Sequence, residues 1–446
     1  MKSLRLQLLV GVGVVAAASL AAIWLRLPPD EVQPVTVPLE SSETVLRVGA
    51  EDWADLVTTR MPSGDNWVLL PATPATAEEF RSDQQGEQRG FVSAESCREC
   101  HESYYETWQH TGHAKSSSAA DSHSILGSFA DGRSTLRTGS EQLQFHMRNR
   151  DEKYAQVVEL LDSETGQTHT GEFAFDIVLG SGRHGQSYLW FDRDYLYQMH
   201  VSYLSETDSW VNSPGPYSDG TADFSRPVPP RCLDCHATWA AWDSEQMNRF
   251  DRDSLLLGIS CVRCHGPGHE HIRLHRSRPD ATEGMRIINP ATLSIERRNE
   301  ICAQCHSAGE LLGRPFEYRP GTALQEWLEA DLDVSNEENA DPHSANQLAR
   351  LMRSRCYTDS DGIACVSCHD PHSSDVAVLE STVATCAECH GQLPCPEQSR
   401  TGNLTPRDCV DCHMPPRRDA QVEIQTESGR IQALLRDHLI GVHSQP

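Results

Sequence analysis

The motif C-x-x-C-H occurs seven times along the chain and uses 14 of its 16 cysteines. Chance, at this composition, would give about 0.03 such motifs in a chain of this length, so the repetition is not accidental. The motif cysteines are Cys97 and Cys100, Cys232 and Cys235, Cys261 and Cys264, Cys302 and Cys305, Cys365 and Cys368, Cys386 and Cys389, and Cys409 and Cys412. The histidines that follow them are His101, His236, His265, His306, His369, His390 and His413.

The spacing within the motif has a chemical meaning. Residues i, i+3 and i+4 share one face of a helical turn. Two thiols placed in this way can form thioether bonds to the two vinyl groups of one haem, and the adjacent histidine then reaches the iron as an axial ligand. The sequence therefore predicts seven covalently attached haem c groups, with the seven motif histidines as proximal ligands.

Three other uses of paired cysteines fit less well. Zinc ribbons combine C-x-x-C motifs in pairs and need no histidine after each pair, whereas here the number of motifs is odd and every one ends in histidine. Disulfides suit an exported chain, but seven i,i+3 cystines would be an unusual framework. A thioredoxin-like motif is normally single and lies in an α/β pattern, which is absent here.

Charge and motif density limit the class of protein further. The chain has 446 residues and a formal charge of −26, which argues against a nucleic-acid partner. Six of the seven motifs lie within residues 232–413, about 30 residues for each. Because so short a segment cannot enclose a haem in side chains alone, we expect the haems themselves to supply much of the apolar interior.

The N-terminus predicts a membrane anchor. Lys2 and Arg5 precede an apolar run, Leu6–Leu25, which is longer than the usual apolar region of a cleaved signal and has no small-residue cleavage site after it. About 20 apolar residues match the thickness of a bilayer. The distribution of basic residues puts the N-terminus in the cytoplasm. The expected location is the bacterial inner membrane, facing the periplasm, and the alternative is a soluble periplasmic protein after signal cleavage.

The remaining elements follow from residue patterns. Alternation at Leu143, Phe145 and Met147, repeated at 173–177 and separated by turn-like clusters, predicts an antiparallel meander of about five strands over residues 140–204. Helices are expected within 91–125 and at 345–354. The predicted fold is a mainly α and irregular multihaem cytochrome c fold with a haem-packed core, an antiparallel β insertion and an N-terminal anchor. Its predicted parts are 1–26 (anchor), 27–90 (tether and uncertain segment), 91–125 (first haem module), 126–230 (β-rich insertion) and 231–446 (six-haem module).

Several segments resemble a known family, the exported multihaem c-type cytochromes related to tetrahaem cytochrome c-554 and hydroxylamine oxidoreductase. They are SAESCRECHESYYETWQHTGHAKS, GISCVRCHGPGHEH, CVSCHDPH and CVDCHMP with the later RDHLIGVH. The resemblance implies bacterial, exported, haem-dense proteins that mostly carry electrons. It also implies that the distal axial ligands include His113, His271, His372 and His438. Because His271 and His372 lie very near their own motifs, we expect them to ligate a neighbouring haem.

Other residues have less definite roles. Weaker distal candidates are His110, His123, His184, His200, His269, His343 and His443, with His146 and His169 weaker still. Met414 follows a motif, and its place before a proline suggests that it sets the direction of the loop. The two remaining cysteines, Cys356 and Cys395, either form a disulfide or stay as free thiols.

Two functions are compatible with this sequence. The first is an electron carrier between a membrane donor and an exported acceptor protein, with mostly bis-histidine haems. The second is an oxidoreductase in which one haem keeps an open site for a small nitrogen or sulfur compound. A further hypothesis, compatible with the first, is that the β-rich segment is a docking module and the protein is a subunit of a larger redox complex.

Overall fold

The computed structural model describes residues 45–47, 61–63, 66–71, 90–214, 220–246, 248–281, 284–331, 346–373, 385–391, 406–426 and 429–443. All of these lie in one compact unit, Leu39–Pro446. The predicted anchor falls outside them. Within these ranges, none of the helices has both the length and the apolar character needed to cross a membrane.

The helices are short, and most of them carry a cysteine motif. They are α1 (Glu95–Trp108), α2 (Pro230–His236), α3 (Cys261–His265), α4 (His269–Ser277), α5 (Ile295–His306), α6 (Gln347–Met352), α7 (Arg355–Thr358) and α8 (Pro406–His413). Residues 385–390 are also helical. In the part of the chain that the structure describes, 3-10 turns lie at Arg252–Ser254, Pro290–Thr292, Leu324–Glu326 and Cys365–Ser367.

Most strands of the described residues lie between the first two motifs, and the others lie before and after this segment. The strands are β1 (Val45–Arg47), β2 (Met61–Ser63), β3 (Asn66–Leu69), β4 (Ser117–Ala119), β5 (Thr135–Arg137), β6 (Leu143–Arg150), β7 (Lys153–Leu161), β8 (Thr168–Ala174), β9 (Ile177–Leu179), β10 (Gly185–Asp192), β11 (Tyr195–Gln198), β12 (Val201–Leu204), β13 (Ser209–Asn212), β14 (Thr221–Asp223), β15 (Ala237–Trp239), β16 (Leu256–Leu257), β17 (Gly309–Leu311), β18 (Leu328–Ala330), β19 (Pro416–Thr426) and β20 (Gly429–Arg436).

Two larger sheets and several small ones result. One sheet has the order β1-β8-β7-β6-β5, in which β1 pairs parallel with β8 and the other pairs are antiparallel. The second has the order β13-β12-β10-β9-β4, with β11 also paired to β10. The smaller sheets are β14-β3-β2, β15-β16, β17-β18 and β19-β20.

Alternating side chains explain how the two sheets pack. Leu143, Phe145 and Met147 point inwards from β6 and are at most 2% exposed, as their period of two requires. They belong to an aromatic-rich core in which the rings of Phe173 and Phe224 stack at 3.7 Å between centroids. Burying each such side chain contributes about 1.5–3 kcal/mol to stability.

The structure corrects the predicted fold in three respects. The chain has more β-structure than the predicted, mainly α and irregular fold. Residues 143–204 hold seven strands rather than about five, and the C-terminal segment adds the hairpin β19–β20. The predicted helix at 345–354 is shorter, Gln347–Met352. The six-motif segment also has a small side-chain core of its own, formed by Ala303, Tyr318, Leu324, Trp327 and Leu328.

Candidate haem-binding sites

The motifs lie on helical turns, as their spacing requires. The first lies in α1, the second ends α2, the third forms α3, the fourth ends α5 and the seventh ends α8. The fifth occupies the 3-10 turn Cys365–Ser367, closed by a hydrogen bond from His369 N to Cys365 O of 3.0 Å. The sixth lies in the helical residues 385–390. All fourteen motif cysteines are free thiols, so each pair is available for thioether bonds.

Direct thiol contacts join motifs that are distant in sequence. The side chain of Cys97 lies beside that of Cys261, which brings the first motif against the third. In the same way the side chain of Cys235 lies beside that of Cys305, and the side chain of Cys302 lies beside that of Cys365. The second and fifth motifs therefore both adjoin the fourth.

Weaker electrostatic interactions extend these contacts. Cys264 of the third motif interacts with Cys305 of the fourth. Cys386 of the sixth interacts with both Cys368 of the fifth and Cys409 of the seventh. The motifs form one contiguous series in the order 1-3-4-5-6-7, and motif 2 branches from motif 4.

Each of the four distal candidates faces the proximal histidine of another motif. The ring centroids of His271 and His101 are 6.4 Å apart, and those of His113 and His306 are 6.2 Å apart. The other two distances are 6.0 Å, between His372 and His265 and between His438 and His369.

These distances match the two axial ligands of one metal ion. A bond from an imidazole nitrogen to a first-row metal is about 2.0–2.1 Å, and the ring centroid lies about 1.1 Å beyond the nitrogen, so two opposed histidines have centroids about 6.2 Å apart. Direct packing of two rings would allow closer approach, as the 4.5 Å between the rings of His271 and His275 shows. The four pairs thus leave room for an iron atom between the rings, and their donor chemistry fits haem.

Hydrogen bonds at Nδ1 orient several of these rings. His265, His271 and His438 have Nδ1 at 2.9, 2.8 and 3.3 Å from the carbonyl oxygens of Ile288, Met285 and Arg436, in that order. Nδ1–H donates to each carbonyl, so Nε2 keeps its lone pair for a metal. Similar contacts join His413 to the Gly441 carbonyl at 2.8 Å and His372 to the Asp370 carboxylate at 3.3 Å.

Burial lowers the pKa of three of the paired histidines, His306, His438 and His265. Desolvation, followed by the neighbouring histidines, lowers the pKa of His306 to about 4. Desolvation and His369 lower the pKa of His438 to about 4, and burial lowers that of His265 as well. Because only a neutral imidazole ligates a metal, these environments favour ligation at neutral pH.

The candidate ligand His438, near the C-terminus, follows a buried carboxylate. Asp437 is 4% exposed and pairs with Arg350 at 3.1 Å and with Arg417 at 2.9 Å. Ser354 Oγ donates to the His438 carbonyl at 3.0 Å and accepts from Ile440 N at 2.8 Å. The tail is therefore held by side chains of the chain itself as well as by any bond that His438 forms.

Polar side chains also fix the motifs against each other. Buried Asn299 in α5 donates to Ile363 O at 3.0 Å and accepts from Cys365 N at 2.8 Å, which fixes the fifth motif against the fourth. Trp108 Nε1 donates to Ile259 O at 3.1 Å, just before the third motif. The sequence gives no sign of the role of Asn299, because nothing in the local pattern distinguishes a buried amide from an exposed one.

Of the weaker distal candidates in the β-sheet region, His146 and His200 have well-defined partners there. Both nitrogens of His146 have partners, Thr135 Oγ1 at 3.0 Å and Glu159 at 3.2 Å. His200 is fully buried, stacks on Phe145 and accepts a hydrogen bond at Nδ1 from Asp223 N. Both histidines are engaged in the sheets rather than facing a motif. His343 and Cys395 lie outside the described residues, so the Cys356–Cys395 pairing stays a prediction.

Two protein-family models agree with this chemistry. The family model "Cytochrome c554 and c-prime" matches residues 96–165 and 207–266, and the model "Doubled CXXCH motif" matches residues 359–394. A similar solved structure, the crystal structure of outer cell wall cytochrome OcwA, is 17% identical, covers 79% of each chain and has a TM-score of 0.46. No curated protein matches the chain.

The two family matches and the repeated motif define the class. The chain is a multihaem c-type cytochrome that binds haem c through its C-x-x-C-H motifs and takes part in electron transfer. The relation to hydroxylamine oxidoreductase stays a prediction from the resemblance.

Proposed function

We propose that the protein is an exported, membrane-tethered electron carrier with seven covalently bound haem c groups, most of them ligated by two histidines. The observation that carries this proposal is the set of four histidine pairs with ring centroids 6.0–6.4 Å apart. An iron with two histidine ligands has no open site for a substrate, which leaves electron transfer as its role.

The contacts between motifs support the same role. Cofactors attached to cysteines in direct contact are neighbours, and the thiol contacts connect the first and third, second and fourth, and fourth and fifth motifs. The bound haems supply the one-electron chemistry. The chain attaches them through its cysteines, supplies neutral imidazoles and excludes water from the interior motifs.

Location and partners are proposed from the sequence. The run Leu6–Leu25 would tether the protein to the bacterial inner membrane, with the described unit in the periplasm. The partners would then be a membrane donor and an exported acceptor protein. With a charge of −26, the polypeptide favours basic surfaces on those proteins.

Electron paramagnetic resonance of the oxidised, full-length protein tests the proposal, with intact mass measured on the same sample. The mass should exceed that of the polypeptide by seven haems. Four or more of the irons should be low-spin. A preparation with mainly high-spin iron that turns over a small nitrogen or sulfur compound would overturn the carrier function in favour of an oxidoreductase.

A further inference from the structure

Three consecutive motifs interlock through the residue just before their second cysteine. That residue is Asp234 in the second motif, Arg263 in the third and Gln304 in the fourth. Their exposed fractions are 0%, 3% and 3%, although residues of these types normally lie at the surface. We call these three residues, together with Arg231, the junction.

Asp234 is the centre of the junction. Its carboxylate accepts hydrogen bonds from Arg263 Nη2 at 2.9 Å, from Arg231 Nη1 at 2.8 Å and from Phe316 N at 2.9 Å. Arg263 Nη2 also donates to the Asp234 carbonyl at 2.8 Å. The second and third motifs are thus joined by a salt bridge that is almost completely buried.

Gln304 brings in the fourth motif. Its side-chain amide donates a hydrogen bond to the Arg263 backbone oxygen at 3.3 Å, and its backbone carbonyl oxygen accepts one from Arg231 Nη2 at 3.3 Å. The Cys305 thiol, which follows Gln304, lies 4.0 Å from the Asp234 carbonyl. The junction therefore lies where motif 2 branches from the contiguous series.

The junction has an unbalanced charge. Two guanidinium groups face one carboxylate, which leaves one net positive charge. The side chains of Arg263 and Asp234 are 2% and 0% exposed and that of Arg231 is 31% exposed, so solvent screens this charge only in part. Arg263 directly precedes Cys264, and the sulfur of Cys305 lies 4.0 Å from the Asp234 carbonyl oxygen, so the charge lies beside two cysteines that would hold haem.

We infer that the junction is a redox-tuning element: it fixes the relative orientation of motifs 2, 3 and 4 and raises the reduction potential of the haems attached to them. This inference rests on the proposed haem loading. Adding one electron to a ferric haem removes one positive charge, so a nearby buried positive charge stabilises the reduced form. Net charge and solvent exposure are recognised determinants of the potential of protein-bound iron. Electrons would then reside preferentially at the branch point.

Variants of opposite charge test the sign of the effect. Arg263→Met makes the junction neutral and should lower the potential, whereas Asp234→Asn makes it more positive and should raise it. The holoprotein is titrated electrochemically while its visible spectrum is recorded. The two proteins are compared at the potential that is the midpoint of the highest-potential haem of the wild type. At that potential, Arg263→Met should have a ratio of ferrous to ferric haem about tenfold lower than the wild type, which corresponds to a shift in reduction potential of about 59 mV.

Arg276→Met is the matched control. Arg276 pairs at 2.7 Å with Glu99, which occupies the same motif position in the first motif, but the two side chains are 63% and 57% exposed. Solvent screens this exposed pair, so its loss should change the ratio less than twofold.

Loss of buried partners could prevent folding, so a second variant is included. Arg231, whose side chain is 31% exposed, can be replaced by Met, and this change should also lower the potential. The inference would be overturned if the reduction potential shifted in the same direction in Asp234→Asn and in the arginine variants. It would also be overturned if these shifts were no larger than that of the control variant. A mass short of seven haems, or mainly high-spin iron in the wild type, would instead count against the proposed function.

Discussion

Replacement of His438 by alanine should open one iron and leave the others closed. The His438 ring lies opposite that of His369 at 6.0 Å, in the geometry of two axial ligands. Asp437 and Ser354 hold the tail by side-chain contacts of their own, so the variant should keep its fold while losing one ligand. One iron in seven should become high-spin in the oxidised protein. The reduced protein should bind one carbon monoxide per chain, measured by optical titration.

The same tail provides a matched control. His443 lies five residues further on, and its Nε2 is 2.9 Å from the Leu439 carbonyl rather than facing a motif histidine. His443→Ala should therefore bind no additional carbon monoxide. Equal behaviour of the two variants, or a wild type with one high-spin iron to which His438→Ala adds none, would refute the assignment of His438 as a ligand. Asp437→Asn should give a partial effect, because the tail loses part of its support while the ligand remains.

Three further predictions concern the β-rich region, the packing of the third motif and the surface charge. Burial lowers the pKa of His200 to about 3, and the unfolded chain, with a pKa of about 6.5, takes up the proton first as pH falls. The free energy of unfolding should therefore drop by about 2 kcal/mol between pH 7 and pH 5 and continue to fall towards pH 3. In denaturant unfolding measured over the same pH range, His200→Gln should lack this part of the decrease. Gly258 has φ +71°, and an added Cβ would lie 2.4 Å from the Ala114 carbonyl oxygen. Gly258→Ala should therefore destabilise the protein by about 2–5 kcal/mol. The control is Gly132→Ala, where φ is +79° but the space is open, and it should cost only about 1 kcal/mol. Electron transfer with a basic donor protein should slow as ionic strength rises, and a rate independent of salt would contradict the proposed preference for basic partners.

The sequence alone determined the chemistry of the chain. Covalent haem attachment needs two thiols and a histidine within five residues. The motif is therefore local and can be recognised without any knowledge of the fold. The short period of a strand likewise made Leu143, Phe145 and Met147 recognisable as an inward-facing row, and all three are buried in β6. Such patterns can be predicted because neighbours in sequence fix them.

The tertiary structure alone decided which motifs are neighbours. His113 precedes the second motif but faces His306 of the fourth, and Cys97 contacts Cys261 across more than 160 residues. Contacts of this kind depend on how loops and sheets bring distant turns together, and no local pattern encodes them.

The same limit explains the junction and the tail. A sequence shows Asp234, Arg263 and Asp437 as ordinary charged residues, for which an exposed position is the usual expectation. Their burial depends on partners 29 residues away for Asp234 and 87 residues away for Asp437. The local spacing of cysteine and histidine specified what the chain can bind, whereas long-range packing specified how the binding sites are ordered, oriented and charged.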